Sequence, residues 1–197
     1  MKNFLPRPGH WVLCPPCRNP LLLRPCSRHC RTFPGGDVVE RYQFSEIVDA
    51  FVDAAKEVVT QILGVEVVEQ QDGAGDALIT FDGVVAVVGF SGAFSGRLLL
   101  GIPEPLSVAL FHALGGETLP SPDEELFAAS EFGNLVSGHA LTSINNRFPG
   151  SNARPSPPSA FLGKRMVFFN FGTTGSRVIL ATPYGDMKMD IAFKEEP

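Results

Sequence analysis

Glu131 and Asn134 stand three residues apart in a segment with helical spacing, and twenty-two residues separate Asn134 from Pro157. A helix turns about 100° per residue, so positions i and i+3 project about 60° apart, on one face. A carboxamide carries both a donor and an acceptor, so Asn134 could orient a water molecule without being deprotonated. The spacing predicts a helix over residues 123–148, with Leu126, Ala129, Gly133, Val136, Ala140 and Ile144 on its buried stripe. Glu131, Asn134, Gly138, Thr142 and Asn145 fall on the opposite, solvent side. Gly138 would let another backbone come close. Leu135 and Leu141 are expected to flank this face and make apolar contacts with a partner.

Other chemistries are excluded by the same reasoning. His139 lies five residues after Asn134, about 140° around the helix, so it cannot share a water with it and is expected to be structural. GFSGAFSG at 89–96 joins two strand-like segments and lacks the Lys-Ser/Thr ending of a phosphate loop, which makes it a turn. Neither a Gly-x-Ser-x-Gly elbow nor a His-Glu-x-x-His helix occurs, so these hydrolase and metalloprotease classes drop out. Phe127 has two readings, part of a docking rim or folded back onto the start of its helix, and the second is expected.

The remaining elements must hold the Glu131 helix in place. Ile47, Phe51, Ala54, Ala55, Val58, Val59 and Ile62 keep helical spacing, and Gly64 sits where that helix would stop. VEVVEQ at 65–70 reads as a strand, followed by ALITFD, a break at Gly83, VVAVVGF at 84–90 and SGRLLLGI at 95–102. Pro103 and Pro105 open a second helix running towards Gly115, and Asp123 is available to cap the third. A Pro, Ser and Asn-rich stretch at 149–159 precedes strand-like segments at 165–171, 176–182 and 186–193. Segregated runs of strands and helices predict an α+β fold, an antiparallel or mixed β-sheet covered by helices.

Composition narrows the partners. With 44% apolar and 19% charged residues, the 197-residue chain reads as an ordinary globular protein, and no apolar run reaches the ~20 residues that span a bilayer. Residues 1–36 carry six Lys or Arg and no acid, while the rest has ten basic against twenty-one acidic residues. An acidic body of this kind argues against nucleic acid as a partner. Cys14, Cys17, Cys26 and Cys30 all lie in the first segment, so nothing in the body asks for an oxidising compartment, and a cytoplasmic setting is expected. Residues 1–36 read as an irregular or disordered segment ahead of a domain at 37–197. The competing reading, a zinc cluster using CPPC, CSRHC and His29, has shorter spacing than zinc ribbons or fingers use.

The body resembles the CheX-like members of the CheC/CheX/FliY family of chemotaxis phosphatases. SEFGNLVSGHALTSIN at 130–145 carries the family's Glu-x-x-Asn pair as Glu131 and Asn134, with Pro157 at the family's distance downstream. DAFVDAAKEVVTQILGVEV at 49–67 and GFSGAFSGRLLLGIPE at 89–104 give weaker support. The likeness runs over roughly residues 44–195. One departure is Phe127, where the family usually has Asp or Ser.

The resemblance implies hydrolysis of the aspartyl phosphate on a CheY-type receiver domain, a reaction in which positioning and charge stabilisation do most of the work. Asn134 would hold the attacking water, and Glu131 would pair with a receiver lysine. Mg2+ would come from the receiver, leaving the chain without a cofactor or metal of its own. Glu57 is followed by Thr60 where a two-site member would present Asn, so one site per chain and a homodimer formed by joining sheets are expected. The alternatives are a non-catalytic module that binds a receiver or other signalling protein, and a zinc-dependent adaptor working through the N-terminal cysteines.

Overall fold

Apolar residues at helical spacing build α1 (Phe44–Leu63), which buries Ile47, Phe51, Ala55, Val58 and Val59. The chain is described by a computed structural model over residues 44–74, 78–170 and 173–194. The expectations about residues 1–36, the zinc cluster among them, lie outside these residues. α1 ends where Gly64, at φ +67°, donates its N–H to the Thr60 carbonyl at 2.9 Å. A left-handed residue after the last turn is readily supplied by glycine.

Strands β1 (Val68–Ala74), β2 (Leu78–Ser91) and β3 (Gly96–Ile102) follow, then α2 (Glu104–Ala113) and α3 (Pro122–Arg147). The chain closes with β4 (Arg154–Pro155), β5 (Ser159–Phe169), β6 (Thr173–Thr182) and β7 (Gly185–Lys194). All seven strands join one curled sheet in the order β1-β6-β7-β3-β2, with β4 and β5 both on the outer side of β2. Every pairing is antiparallel, which settles the choice between antiparallel and mixed.

Gly83 does not break the strand, as the sequence led one to expect. β2 runs straight through it for 14 residues, and the irregularity falls on the partner strand. Phe81 faces Met166 while Gly83 faces Gly163, so β5 carries an extra residue there. Arg165 takes φ 51° and donates its N–H to the Asp82 carboxylate at 2.8 Å. Gly83 itself, at φ +94°, is needed because a Cβ would lie 2.6 Å from the Ile102 carbonyl oxygen.

The helices cover one face of the sheet. Phe51, Phe132, Val136, Ala140 and Ile144 meet Val84, Ala86, Val88, Leu98, Leu100, Met189 and Ile191 in the main core. Gly133 sets how near α3 comes, since a Cβ there would stand 3.2 Å from Ala86 Cβ and 3.3 Å from a Val88 methyl. The opposite face has a smaller cluster of Ile79, Phe81, Val85 and Leu99, with Met166 and Phe168 packed against it.

Beside that cluster sits the fully buried Asp190. It accepts from Asn170 Nδ2 at 3.0 and 3.3 Å, and Arg177 is its cross-strand neighbour on β6. Arg97 donates to the Asn170 side-chain oxygen and to the Phe169 carbonyl. Burial raises the Asp190 pKa, and the Asn170 hydrogen bond and the Arg177 and Arg97 charges pull it partly back.

A raised folded value means that the folded protein keeps this proton to higher pH than the unfolded chain does. The Asp190 contribution to stability is therefore greatest below the ordinary aspartate value of 3.8 and is lost as pH rises through the raised folded value. Chemical denaturation across that window should show the loss in the parent and not in Asp190→Asn. An equal loss in both proteins would place its origin elsewhere.

Candidate functional site

α3 is capped by Ser121, not by Asp123 as expected. Pro122 fits the first helical position because its missing N–H would have had no partner there. Ser121 Oγ accepts from the Glu124 N–H at 3.4 Å, and the Glu124 carboxylate accepts from the Ser121 N–H at 2.8 Å, a reciprocal cap. The Ser121 N–H foremost, and then the Ser121 hydroxyl donating at 2.7 Å, hold the Glu124 carboxyl below its usual pKa. Ser107 on α2 donates to Glu125 at 3.1 Å and ties the two helices together.

Ala129, Gly133, Val136, Ala140 and Ile144 are all buried, as the apolar stripe predicts, Phe132 joins them, and Leu126 packs at its edge. Turning this stripe inward turns Asn134 outward and leaves Glu131 half-buried one turn earlier. Among the described residues, neither side chain has a hydrogen-bond or ion-pair partner within the chain. Gly138 continues the same line, and a Cβ there would meet nothing within 4 Å. The structure therefore brings Glu131, Asn134 and Gly138 onto one accessible line.

Leu135 sits at the margin, 36% exposed. Leu141 is buried at 1% and belongs to the core, so it is unavailable to a partner. The reason is rotation: six residues carry a side chain about 120° away from Leu135, past the edge of the exposed face. Phe127 is also corrected. It does not fold back but stands 65% exposed, and it lies about 20° around the helix from Asn134.

Asn145 is committed to its own chain. Its Nδ2 donates to the Ala153 carbonyl at 2.8 Å, and its Oδ1 accepts from Ser151 Oγ at 2.6 Å and from the Ala153 N–H at 2.8 Å. This triple clamp fixes the loop after α3. That loop is also held by the turn at 89–96, where the Ala93 N–H meets the Ser151 carbonyl at 2.8 Å. Five residues after Ser151, Ser156 exchanges bonds with Gly89, its N–H donating at 2.8 Å and its Oγ accepting at 3.0 Å. Pro157 thus follows directly on a pinned edge strand, and it is exposed. The sequence signal that could have revealed the clamp is Asn145 shortly before the turn-forming PGSNA run at 149–153.

The other polar residues have local duties. His139 is exposed, with Nδ1 3.8 Å from a Glu57 carboxylate oxygen across the α1–α3 cleft. His112 Nδ1 meets the Gly116 carbonyl at 2.9 Å. On α1, Thr60 Oγ1 donates to the Val65 carbonyl at 3.1 Å and closes the helix end. Among the described residues no group of three or more His, Cys, Asp or Glu is placed to hold a metal ion. No described helix is long and apolar enough to cross a membrane.

Comparison with known proteins agrees with this geometry. The family model for the chemotaxis phosphatase CheX matches residues 84–168, the span from β2 through α3 to β5. No match was found among curated proteins. A chemotaxis protein CheX from Desulfovibrio desulfuricans has 20% identity and a TM-score of 0.68, over 76% of this chain and 99% of that one. CheX from Vibrio vulnificus gives 20% and 0.67, with 76% and 99% covered. The CheX–CheY–BeF3–Mg2+ complex from Borrelia burgdorferi gives 21% and 0.60, with 76% and 98% covered. The fold is the one these CheX proteins share, and residues 84–168 are similar to the CheX family.

Replacing Asn145 by Ala leaves the buried Ser151 hydroxyl and Ala153 amide without their acceptor. Each buried polar group stranded in this way costs about 1–3 kcal/mol. Urea denaturation of Asn145→Ala should show a loss of at least that order; stability equal to the parent would remove the clamp from this account.

Proposed function

We propose that the CheX-like domain, assigned to residues 37–197, hydrolyses the aspartyl phosphate of a CheY-type receiver in chemotaxis or a related two-component pathway. The observation that carries this reading is the pair on α3: an exposed Asn134 amide and the Glu131 carboxylate, one turn apart and without side-chain partners among the described residues. Asn134 enters the receiver's site and orients a water in line with phosphorus. The water oxygen bonds to phosphorus as the phosphorus–oxygen bond to the aspartyl carboxylate breaks. Inorganic phosphate and the free carboxylate leave, with the water's proton carried off on phosphate or to solvent. Glu131 pairs with a receiver lysine and sets the register, and Gly138 permits close approach. Mg2+ belongs to the receiver in this reading, and the setting is the cytoplasm, where receivers work.

A rigid helix suits such a site, because misplacing the water by about 1 Å costs on the order of 10²-fold in rate. The non-catalytic alternative would need docking but no free amide at Asn134. Two copies of the chain would pair through β5, whose outer side is a sheet edge bearing exposed Phe161, Leu162, Val167 and Phe169.

Phosphate loss from a phosphorylated receiver should accelerate when this protein is added. Asn134→Ala should lose about 10²-fold of that acceleration, while Glu131→Ala should chiefly weaken engagement. An Asn134→Ala protein as fast as the parent would end the mechanism. Light scattering should give a dimer that Phe169→Glu shifts towards monomer; an unchanged dimer would move the interface off β5.

A further inference from the structure

Between residues 98 and 146, a stretch that covers α2 and all of α3 but its terminal Arg147, there are six carboxylates and no Lys or Arg. Glu125 is engaged by Ser107 and Glu124 by the helix cap, while Glu104, Glu117 and Asp123 are exposed. Within this acidic stretch of sequence stands Phe127, whose ring is 65% exposed. Leu119, on the loop leading into the same helix, is 82% exposed.

A single exposed apolar residue is ordinary. Phe127 differs in its placement. It precedes Asn134 by seven residues, two turns of helix, and therefore lies about 10 Å along the axis and within about 20° of the same line. From Phe127 through Glu131 and Asn134 to the bare Gly138, one straight stripe of about 16 Å faces outward. Whatever brings a reaction centre to Asn134 must lie along that stripe and cover the ring.

We propose that Phe127 is the docking anchor and specificity determinant of this surface. Its occupant is the receiver domain that meets Asn134, and that receiver carries an apolar depression rimmed by Lys or Arg beside its phosphoryl pocket. The inference rests on the receiver reading above but not on catalysis. The ring fills the depression, and the carboxylates around it select a basic rim. Aromatic anchors commonly dominate the binding energy of an interface, and complementary charge steers the approach and weakens with salt.

The test uses the full chain and each CheY-type receiver encoded by the genome that carries it, loaded with BeF3− and Mg2+, with affinity measured by calorimetry at low and high NaCl. The parent should bind at least one receiver, more weakly as salt rises. Phe127→Ala should weaken binding about 10-fold or more, as loss of an anchor does. Phe127→Leu should recover much of the loss, and Phe127→Asp should be weaker still. All three should melt at the parent's temperature, because the ring contributes little to the core. Variants that bind like the parent, insensitivity to salt, or a parent that binds no receiver would each overturn the inference. A parent that binds but does not speed phosphate loss would instead defeat the phosphatase reading and leave the anchor standing.

Discussion

The burial of one stripe of α3 against β2 and β3 is the constraint from which the rest follows. Phe132 and Val136 are fully enclosed, and Gly133 lets the helix axis come down onto Ala86 and Val88. A helix held by its apolar side has no rotational freedom left, so the residues between the buried ones must point away. Glu131 and Asn134 flank Phe132 and Gly133 in sequence and are thrown outward by that packing. Burying a side chain the size of Phe132 contributes about 1.5–3 kcal/mol. The orientation of the site is thus set by the largest hydrophobic term in its neighbourhood.

A second set of interactions positions what lies beyond the helix. Asn145 is spent on the loop at 151–153, and Ser156 is spent on Gly89. Together they carry the chain from the end of α3 to the rim of the sheet within a few residues. Between β4 and β5 stand Pro157 and Pro158, which lack an N–H, so pairing there is limited to what Ser156 supplies. The site is accordingly built on rigid elements at both ends.

The polar residues divide by this logic into those used internally and those left over. Thr60, Ser107, Ser137 and Asn145 all donate to groups of their own chain. Asp190 is buried among Asn170, Arg97 and Arg177 on the face away from the helices. Buried polar groups need partners, so their presence inside says little about function. A carboxylate and a carboxamide one turn apart, in reach of solvent and without partners among the described residues, stand out against that background.

The sequence by itself determined the helix, its apolar stripe and the outward placement of Glu131 and Asn134. Periodicity is a local property, and a period of 3.6 residues survives any choice of tertiary neighbour. It also determined an α+β order of elements, since turn residues and strand runs are written locally. Finer outcomes needed the assembled sheet. Gly83 looked like a strand break, yet the irregularity went to Arg165 on β5, because only cross-strand pairing decides which partner carries the extra residue. Asn145 has the same face and chemistry as a free polar residue until the 151–153 loop arrives to occupy it. Leu141 and Phe127 exchanged roles, one entering the core and the other facing solvent. How far an apolar stripe extends around a helix depends on what packs against it, and residue type alone does not carry that information.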